Sequence, residues 1–255
     1  MSNKTLERAS PFVLLIVLVG LWQLACTVFA IPEFIFPSPL LIAQALGEFT
    51  GPIAVAAWQT FWVTMVGFGL SIVVGVLLGF LVGSTRFAYA AVFPLLVAFN
   101  AVPKAAIVPI LVVWFGIGLG PGILTAFLIS FFPITVNMAT GLATLEPELE
   151  DVLRVLGAKR RDVLMKVGLP RSLPYFYASL KVSITLAFVG TVLAEMTAGD
   201  AGIGYLMQTA GSQQRLALAF AGLVVIGAMA MAMYELFSYI EKHTTAWAHR
   251  GSHDA

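Results

Sequence analysis

Charge is scarce in this chain, and that scarcity is the first limit on what the protein can be. Only 11% of the 255 residues are Asp, Glu, Lys or Arg, whereas 60% are hydrophobic, and the mean hydropathy is +0.95. Soluble domains carry roughly a quarter charged residues because their surfaces face water. The composition therefore indicates a polytopic membrane protein, and the net charge of +1 gives no reason to expect nucleic-acid binding.

Reactive and metal-binding residues are also few. The single cysteine, Cys26, excludes an internal disulfide and a thiolate metal cluster. All three histidines fall in the C-terminal tail with irregular spacing, which favours a solvated tail over a metal site. No Gly-x-x-x-x-Gly-Lys-Ser/Thr phosphate loop occurs, and the Gly-rich segments 116–122 and 199–204 predict tight turns instead. We expect no catalytic residue, no metal and no cofactor in this chain.

What the chain has instead is a series of long apolar runs. About 20 residues are needed to cross a bilayer, and each crossing must satisfy its backbone as a helix. The third run is too long for one straight crossing, and Pro94, Pro103 and Pro109 predict kinks or a break in it. A Pro-rich connector and a short amphipathic helix at about 40–49 follow the first run. The runs predict one all-α membrane domain, 1–255, with six spans at about 11–31, 58–83, 88–116, 122–142, 175–198 and 214–240.

The second span carries a small residue at every fourth position: Gly67, Ser71, Gly75, Gly79 and Gly83. Such spacing lets another helix approach closely. We favour packing within one subunit, with a subunit interface as the alternative.

The basic residues predict the orientation. With the N-terminus inside, every one of the 14 Lys and Arg residues except Arg215 and Lys104 falls on the cytoplasmic side. Short cytoplasmic loops are enriched in such residues. Both termini and the loop after the fourth span are therefore predicted to be cytoplasmic.

That loop, residues 145–172, is a polar island that holds 5 of the 13 acidic and 6 of the 14 basic residues. Acidic residues open a first helix, whose apolar stripe is Leu149, Val152, Leu153 and Leu156. Gly157 allows a sharp break, and a second helix is expected at about 160–167, ended by Leu169-Pro170. An exposed apolar stripe implies either a protein partner or contact with the protein's own membrane domain.

The island resembles a known loop. Asp151-Val152-Leu153, three residues, Gly157, nine residues, then Val167-Gly168-Leu169-Pro170 resembles the EAA loop of binding-protein-dependent ABC importer permeases, which reads Glu-Ala-Ala, three residues, Gly, nine residues, Ile-x-Leu-Pro. The opening triplet departs from that pattern. Three further segments resemble the nitrate/sulfonate/taurine branch: Phe36-Pro37-Ser38-Pro39, Pro103…Pro109…Trp114-Phe115-Gly116-Ile117-Gly118, and Ala194-Glu195-Met196…Gly202-Ile203-Gly204.

The resemblance implies a type I ABC importer permease fold in the bacterial inner membrane. It implies as partners a second permease copy, two cytoplasmic subunits that bind ATP and Mg, and a periplasmic or lipid-anchored substrate-binding protein. Because the chain has no phosphate loop, ATP would be hydrolysed by those partners. The residues that the resemblance places in the ATPase-coupling loop are Glu150, Asp151, Leu153, Gly157, Ala158, Val167, Leu169 and Pro170.

Ionisable groups at membrane depth are costly and suggest function. Lys104 lies in the interrupted third span and Glu195 near the outer end of the fifth. We favour a position along the substrate pathway for both, with pairing or capping as the alternative. Asn100, Asn137 and Thr191 are weaker pathway candidates, because such residues more often bond between helices.

The predicted function is the membrane subunit of an ATP-driven importer of a small solute. An organic or inorganic anion such as a sulfonate, taurine or nitrate is favoured as the solute, and a thiamine-pyrimidine precursor or another small heterocycle is the alternative. A stand-alone secondary transporter or channel is the rival class. That class would show matching broken helices in both halves, whereas only the third span is clearly interrupted here.

Overall fold

The computed structural model describes residues 3–143, 152–153 and 155–245, and every regular element in these ranges is helical. Glu150 and Asp151 of the predicted coupling loop lie outside the described residues. The elements, in order, are α1 (Asn3–Val28), α2 (Pro39–Glu48), α3 (Thr50–Gly83), α4 (Arg86–Ala101), a 3₁₀ turn (Lys104–Ile107), α5 (Val108–Phe115), α6 (Leu119–Ala143), α7 (Arg160–Val163), a π turn (Leu164–Gly168), α8 (Leu169–Ala198), α9 (Ile203–Ser212) and α10 (Leu216–Thr244).

Five of the described helical segments are long and apolar enough to cross a membrane. A sixth candidate is the pair Phe87–Ala101 and Lys104–Phe115, which meet at a bend of 74°. The break falls at Pro103, which cannot donate a backbone hydrogen bond and disfavours helical geometry in the residue before it. The all-α fold of membrane-spanning helices is thus confirmed, with the third span broken.

The centre of the fold is the packing of α3, α6 and α8. Gly67, Gly75, Gly79 and Gly83 on α3 lie so close to α6 that a methyl group on any of them would come within 3.0 Å of an α6 atom. Between them, Ser71 Oγ lies 2.6 Å from Ser130 Oγ of α6. The small-residue stripe therefore faces another helix of the same chain.

Two apolar clusters fill the remaining space. One, which includes Phe68, Ile134 and Phe188, joins α3, α6 and α8. The other, which includes Ile53 and Ile203, joins α2, α3, α9 and α10. The helix α1 is held beside this second cluster by ring contacts of Trp22 with Phe36 and Phe220, whose centroids lie 5.2 and 6.3 Å from the Trp22 ring.

Three departures from the expected helices have a local cause. The second span begins at Thr50, because Pro52 lies in the first turn, where its missing N–H costs nothing. Helix α9 was not predicted, since Gly202 precedes its ten residues and Gly204 and Gly211 lie in its first and last turns. The expected stop at Leu169-Pro170 is wrong, because Leu169 N–H bonds to Leu164 O across a π turn. This wider turn relieves the clash that Pro170 would cause in a regular helix, and the chain stays helical from α7 into α8.

Candidate functional site

The two ends of the bundle carry different chemistry. We call residues 152–153 and 155–168 the Gly157 segment, or inner segment. Helix α8 begins at Leu169, directly after this segment, and ends at Ala198, next to the turn that precedes α9. We call the end with the Gly157 segment the inner end and the end with α9 the outer end. Three groups of residues are candidates for function: a buried carboxylate at the outer end, a lysine in the broken span, and the inner segment.

Glu195 is the buried carboxylate, and only 7% of its surface is exposed. The Thr60 hydroxyl of α3 lies 2.9 Å from both Glu195 oxygens and donates to the carboxylate, while Gly204 N–H donates to Oε2 at 2.9 Å. Thr60 Oγ1 also accepts the Ile203 N–H at 2.8 Å. Three elements, α3, α8 and the first turn of α9, therefore meet at one carboxylate, and we call this arrangement the Glu195 clasp.

Glycines make the clasp sterically possible. Gly202 has φ +94°, a conformation that disfavours residues with a Cβ. A methyl group on Gly202 would lie 2.6 Å from Glu195 Oε2, and one on Gly204 would lie 2.7 Å from Glu195 Cβ. The helix N-terminus can approach the carboxylate only because both positions lack side chains, and its dipole favours the negative charge.

A cavity of about 450 Å³, which we call the outer cavity, opens beside the clasp. Its apolar wall includes Val55 and Ala56 of α3, Leu206 of α9 and Leu218 of α10. Its polar lining comes from Gln59, Asp200, Tyr205, Thr209 and Gln213. A smaller cavity of about 10 Å³, with room for about one water molecule, touches Gln59, Asp200 and Glu195.

Lys104 is half-buried at the break of the third span. Its Nζ donates to the backbone O and, at 2.7 Å, to the Oδ1 of the exposed Asn100, in the last turn of α4. A cation at this position complements the carbonyl groups that end a helix. Lys104 and Glu195 do not form the ion pair that was the alternative expectation. Lys104 bonds to Asn100, and Glu195 bonds to Thr60 and Gly204.

The two remaining pathway candidates bond within the bundle. Thr191 is fully buried, and its Oγ1 accepts a hydrogen bond of 2.9 Å from Thr64 of α3. Asn137 is half-buried and donates its Nδ2 to Pro133 O, 2.9 Å away in the same helix.

At the inner end, Gly157 forms the break between two helical pieces. Its φ is +86°, and Ala158 N–H donates to Leu153 O at 3.0 Å, which is the bond of a Schellman helix end. Asp162 Oδ2 then accepts the Lys159 N–H at 3.3 Å and so starts α7. A concavity of about 280 Å³ is lined by Leu153, Gly157, Ala158, Asp162 and Val167, among others.

Several apolar side chains of this inner segment face outward. Val155 and Leu156 are 88% and 77% exposed, and Val152 is exposed as well. Val167, Leu169 and Pro170 are half-buried where the segment joins α8. The segment therefore carries an apolar surface that no other described residue covers.

Two contacts between helices were not predicted from the sequence: the hydrogen bond of Thr60 to Glu195 and the ion pair of Lys181 with Glu241. Thr60 completes the clasp, yet one threonine in an apolar span gives no signal of its own. Lys181 Nζ lies 2.6 Å from Glu241 Oε2, which ties α8 to α10. No cluster of three or more His, Cys, Asp or Glu side chains that could hold a metal ion occurs in the part of the chain that the structure describes.

Comparison with known proteins places this arrangement in a family. The family "Binding-protein-dependent transport system inner membrane component" matches residues 71–245. The formylaminopyrimidine transport permease protein of Halalkalibacterium halodurans is 26% identical, over 96% of this chain and 98% of its own length. The riboflavin transport system permease protein of Chloroflexus aurantiacus is 31% identical, with coverages of 93% and 89%, and a putative aliphatic sulfonates transport permease of Bacillus subtilis is 25% identical, with coverages of 91% and 84%.

A solved structure has the same fold. The MetNI methionine ABC transporter, in an inward-facing conformation, contains a chain that superposes with a TM-score of 0.68, at 19% identity, over 77% of this chain and 98% of its own length. The expected type I ABC importer permease fold is confirmed, whereas relatives named for three different solutes do not single out the nitrate/sulfonate/taurine branch. The chain belongs to the binding-protein-dependent inner membrane components, the multi-pass, non-catalytic permease subunits of ABC importers, which rely on a separate ATPase subunit.

Proposed function

We propose that this permease moves a small solute from an external binding protein into the cytoplasm, driven by two ATP-binding subunits that dock at the inner end. A second copy of the chain completes the membrane part. The observation that carries the proposal is the exposure of Val155 and Leu156 in the inner segment. Both side chains lie next to the Gly157 turn, and no described residue covers them. An exposed apolar surface at a membrane protein's aqueous end fits a protein partner.

The docking proposal is tested by Gly157→Leu. Leucine is strained at φ +86°, so the turn would change direction and the apolar side chains would leave the ATPase surface. We expect ATP-driven uptake in proteoliposomes to fall at least about tenfold, equivalent to about 1.4 kcal/mol, while membrane insertion stays normal. Gly20→Leu is the matched control, because Gly20 lies in α1 with open space around it and no positive φ. Normal uptake by Gly157→Leu would contradict the docking role.

A small anion is the first candidate solute, and Lys104 is the observation in its favour. Its ammonium is half-buried in the break of an apolar span, and Glu195 does not neutralise it. An ammonium has three donors, of which two are used by Asn100, so one is free for an anion. If the solute is an anion, Lys104→Gln is expected to abolish uptake of an alkyl sulfonate and Lys104→Arg to retain it; unchanged uptake by Lys104→Gln would contradict the role of Lys104.

A nitrogen heterocycle is the second candidate. It is favoured by the names of the relatives for formylaminopyrimidine and riboflavin transport. Competition of both compounds and an alkyl sulfonate for ATP-driven uptake, measured with the cognate binding protein and ATPase, separates the candidates. Uptake that needs neither ATP nor the ATPase subunit would contradict the importer function itself.

A further inference from the structure

The outer cavity has a chemical character that distinguishes the two solute classes. No Lys, Arg or His is among the residues that line it, all of which lie in the described part of the chain. Its one charged group is the carboxylate of Asp200, which is exposed. A carboxylate accepts hydrogen bonds and repels anions, so an anion would enter this cavity at a cost.

The neutral lining groups offer donors and acceptors together. Gln59 and Gln213 each carry an amide with both, and the hydroxyls of Tyr205 and Thr209 act either way. The apolar lining includes Val55 and Ala56 of α3 and Leu218 of α10. Tyr205 is 42% exposed, so its ring is open to stacking. A volume of about 450 Å³ suits a small molecule of one to three rings.

The polar wall is held in a fixed place. Tyr205 and Thr209 lie on α9, whose first turn is bonded to Glu195 and Thr60 through Gly204 and Ile203. The clasp is buried and leaves no room for side chains on the glycines, so α9 cannot shift without breaking it. Groups that are held before a ligand arrives bind it at a lower entropic cost.

We propose that the outer cavity is the site that first receives the transported solute, and that it takes an uncharged, ring-shaped molecule with both hydrogen-bond donors and acceptors, the chemistry of a nitrogen heterocycle. The inference rests on the proposed importer function, because it names the solute class of that function. Glu195 and Thr60 are positioning residues for this site, since they hold its wall without lining its polar face.

Cysteine labelling tests the site without relying on transport. Thr209→Cys is placed in a Cys26→Ala background, and the assembled importer is studied in right-side-out vesicles. Two methanethiosulfonate reagents of similar size are compared, one with a trimethylammonium group and one with a sulfonate. We expect the cationic reagent to react about tenfold faster, and Asp200→Asn to remove most of that difference. Ser212→Cys is the matched control, because Ser212 is exposed on the same helix but does not line the cavity.

Protection from labelling then identifies the solute class. Formylaminopyrimidine or riboflavin is expected to slow modification of Thr209→Cys at least about fivefold and to leave Ser212→Cys unchanged, whereas methanesulfonate has no effect on either. Protection by methanesulfonate, protection by neither heterocycle, or failure of both reagents to reach Thr209→Cys while they modify Ser212→Cys would each overturn the proposal.

The same vesicles test the outer cavity and the importer function separately. ATP-driven uptake by the Cys26→Ala protein reports on the importer function, and labelling reports on the cavity. ATP-driven uptake without protection of Thr209→Cys from labelling would refute the outer cavity as the receiving site and would still support the importer function. Labelling and protection without any ATP-driven uptake refute the importer function.

Discussion

Glu195 illustrates what a single residue's chemistry reveals and what it conceals. A carboxylate in an apolar span is costly, so the sequence identified it as important. Its bonding partner Thr60 lies 135 residues away along the chain, and nothing in either segment predicts the pairing. Its position along the substrate pathway stays a prediction. The structure adds a clasp in which the carboxylate joins α3, α8 and α9.

Thr60→Val is the sharpest test of the clasp, because valine has nearly the same shape and no hydroxyl. The change removes a donor to a buried carboxylate and leaves the Ile203 N–H without its acceptor. We expect a loss of roughly 2–6 kcal/mol in the free energy of unfolding, from two buried polar groups at about 1–3 kcal/mol each. Thermal unfolding of the purified protein in detergent measures it.

Thr197→Val is the control for that comparison. Thr197 also lies on α8 but is exposed, and its hydroxyl bonds only to Leu193 O of its own helix at 2.7 Å. Its replacement is expected to change the melting temperature little. Equal effects of the two substitutions would show that the clasp adds nothing to stability.

Among whole elements, the spans were predictable because the bilayer fixes their length. Pro94, Pro103 and Pro109 together predicted kinks or a break in the third span, and the break falls at Pro103. Two features were not predictable. Helix α9 is only ten residues long, and the glycines before it and within its first and last turns indicate a turn as readily as a helix. The π turn at Leu164–Gly168 widens the helix locally and so accommodates Pro170, and no residue pattern in the sequence predicts it. The partners of Glu195 and Lys104 depend on tertiary packing and were beyond a single sequence.

The small-residue stripe of α3 gives a prediction with a control on the same helix. A methyl group on Gly67 would lie 2.6 Å from the backbone O of Ile123 and 2.7 Å from Ala126 Cβ, so α6 must move away. Gly67→Ala is expected to cost about 1–3 kcal/mol of stability, the usual price of overpacking. Gly69→Ala has open space and should gain up to about 1 kcal/mol from helix propensity. Thermal unfolding in detergent distinguishes them, and a neutral Gly67→Ala would refute close α3–α6 packing.

At the scale of the molecule, the unbroken helix from α7 into α8 joins the two functional ends. Helix α8 alone has 30 residues and so spans about 45 Å at 1.5 Å per residue. The Gly157 segment lies before it, and Glu195 lies in its last turn. A displacement of the inner segment by an ATPase would therefore move the clasp and the α9 wall of the outer cavity. A helix that ended at Leu169-Pro170 would have interrupted this connection.

This connection is useful for import only if the two ends face opposite sides of the membrane. The basic residues predict that the Gly157 segment is cytoplasmic and that α9 lies outside. In a Cys26→Ala background, Ser212→Cys should react with a membrane-impermeant maleimide in intact spheroplasts, because Ser212 is exposed on α9. Lys159→Cys, exposed beside Gly157, should react only after lysis. The reverse pattern would invert the orientation and place the outer cavity on the cytoplasmic side, where it could not receive a solute from an external binding protein.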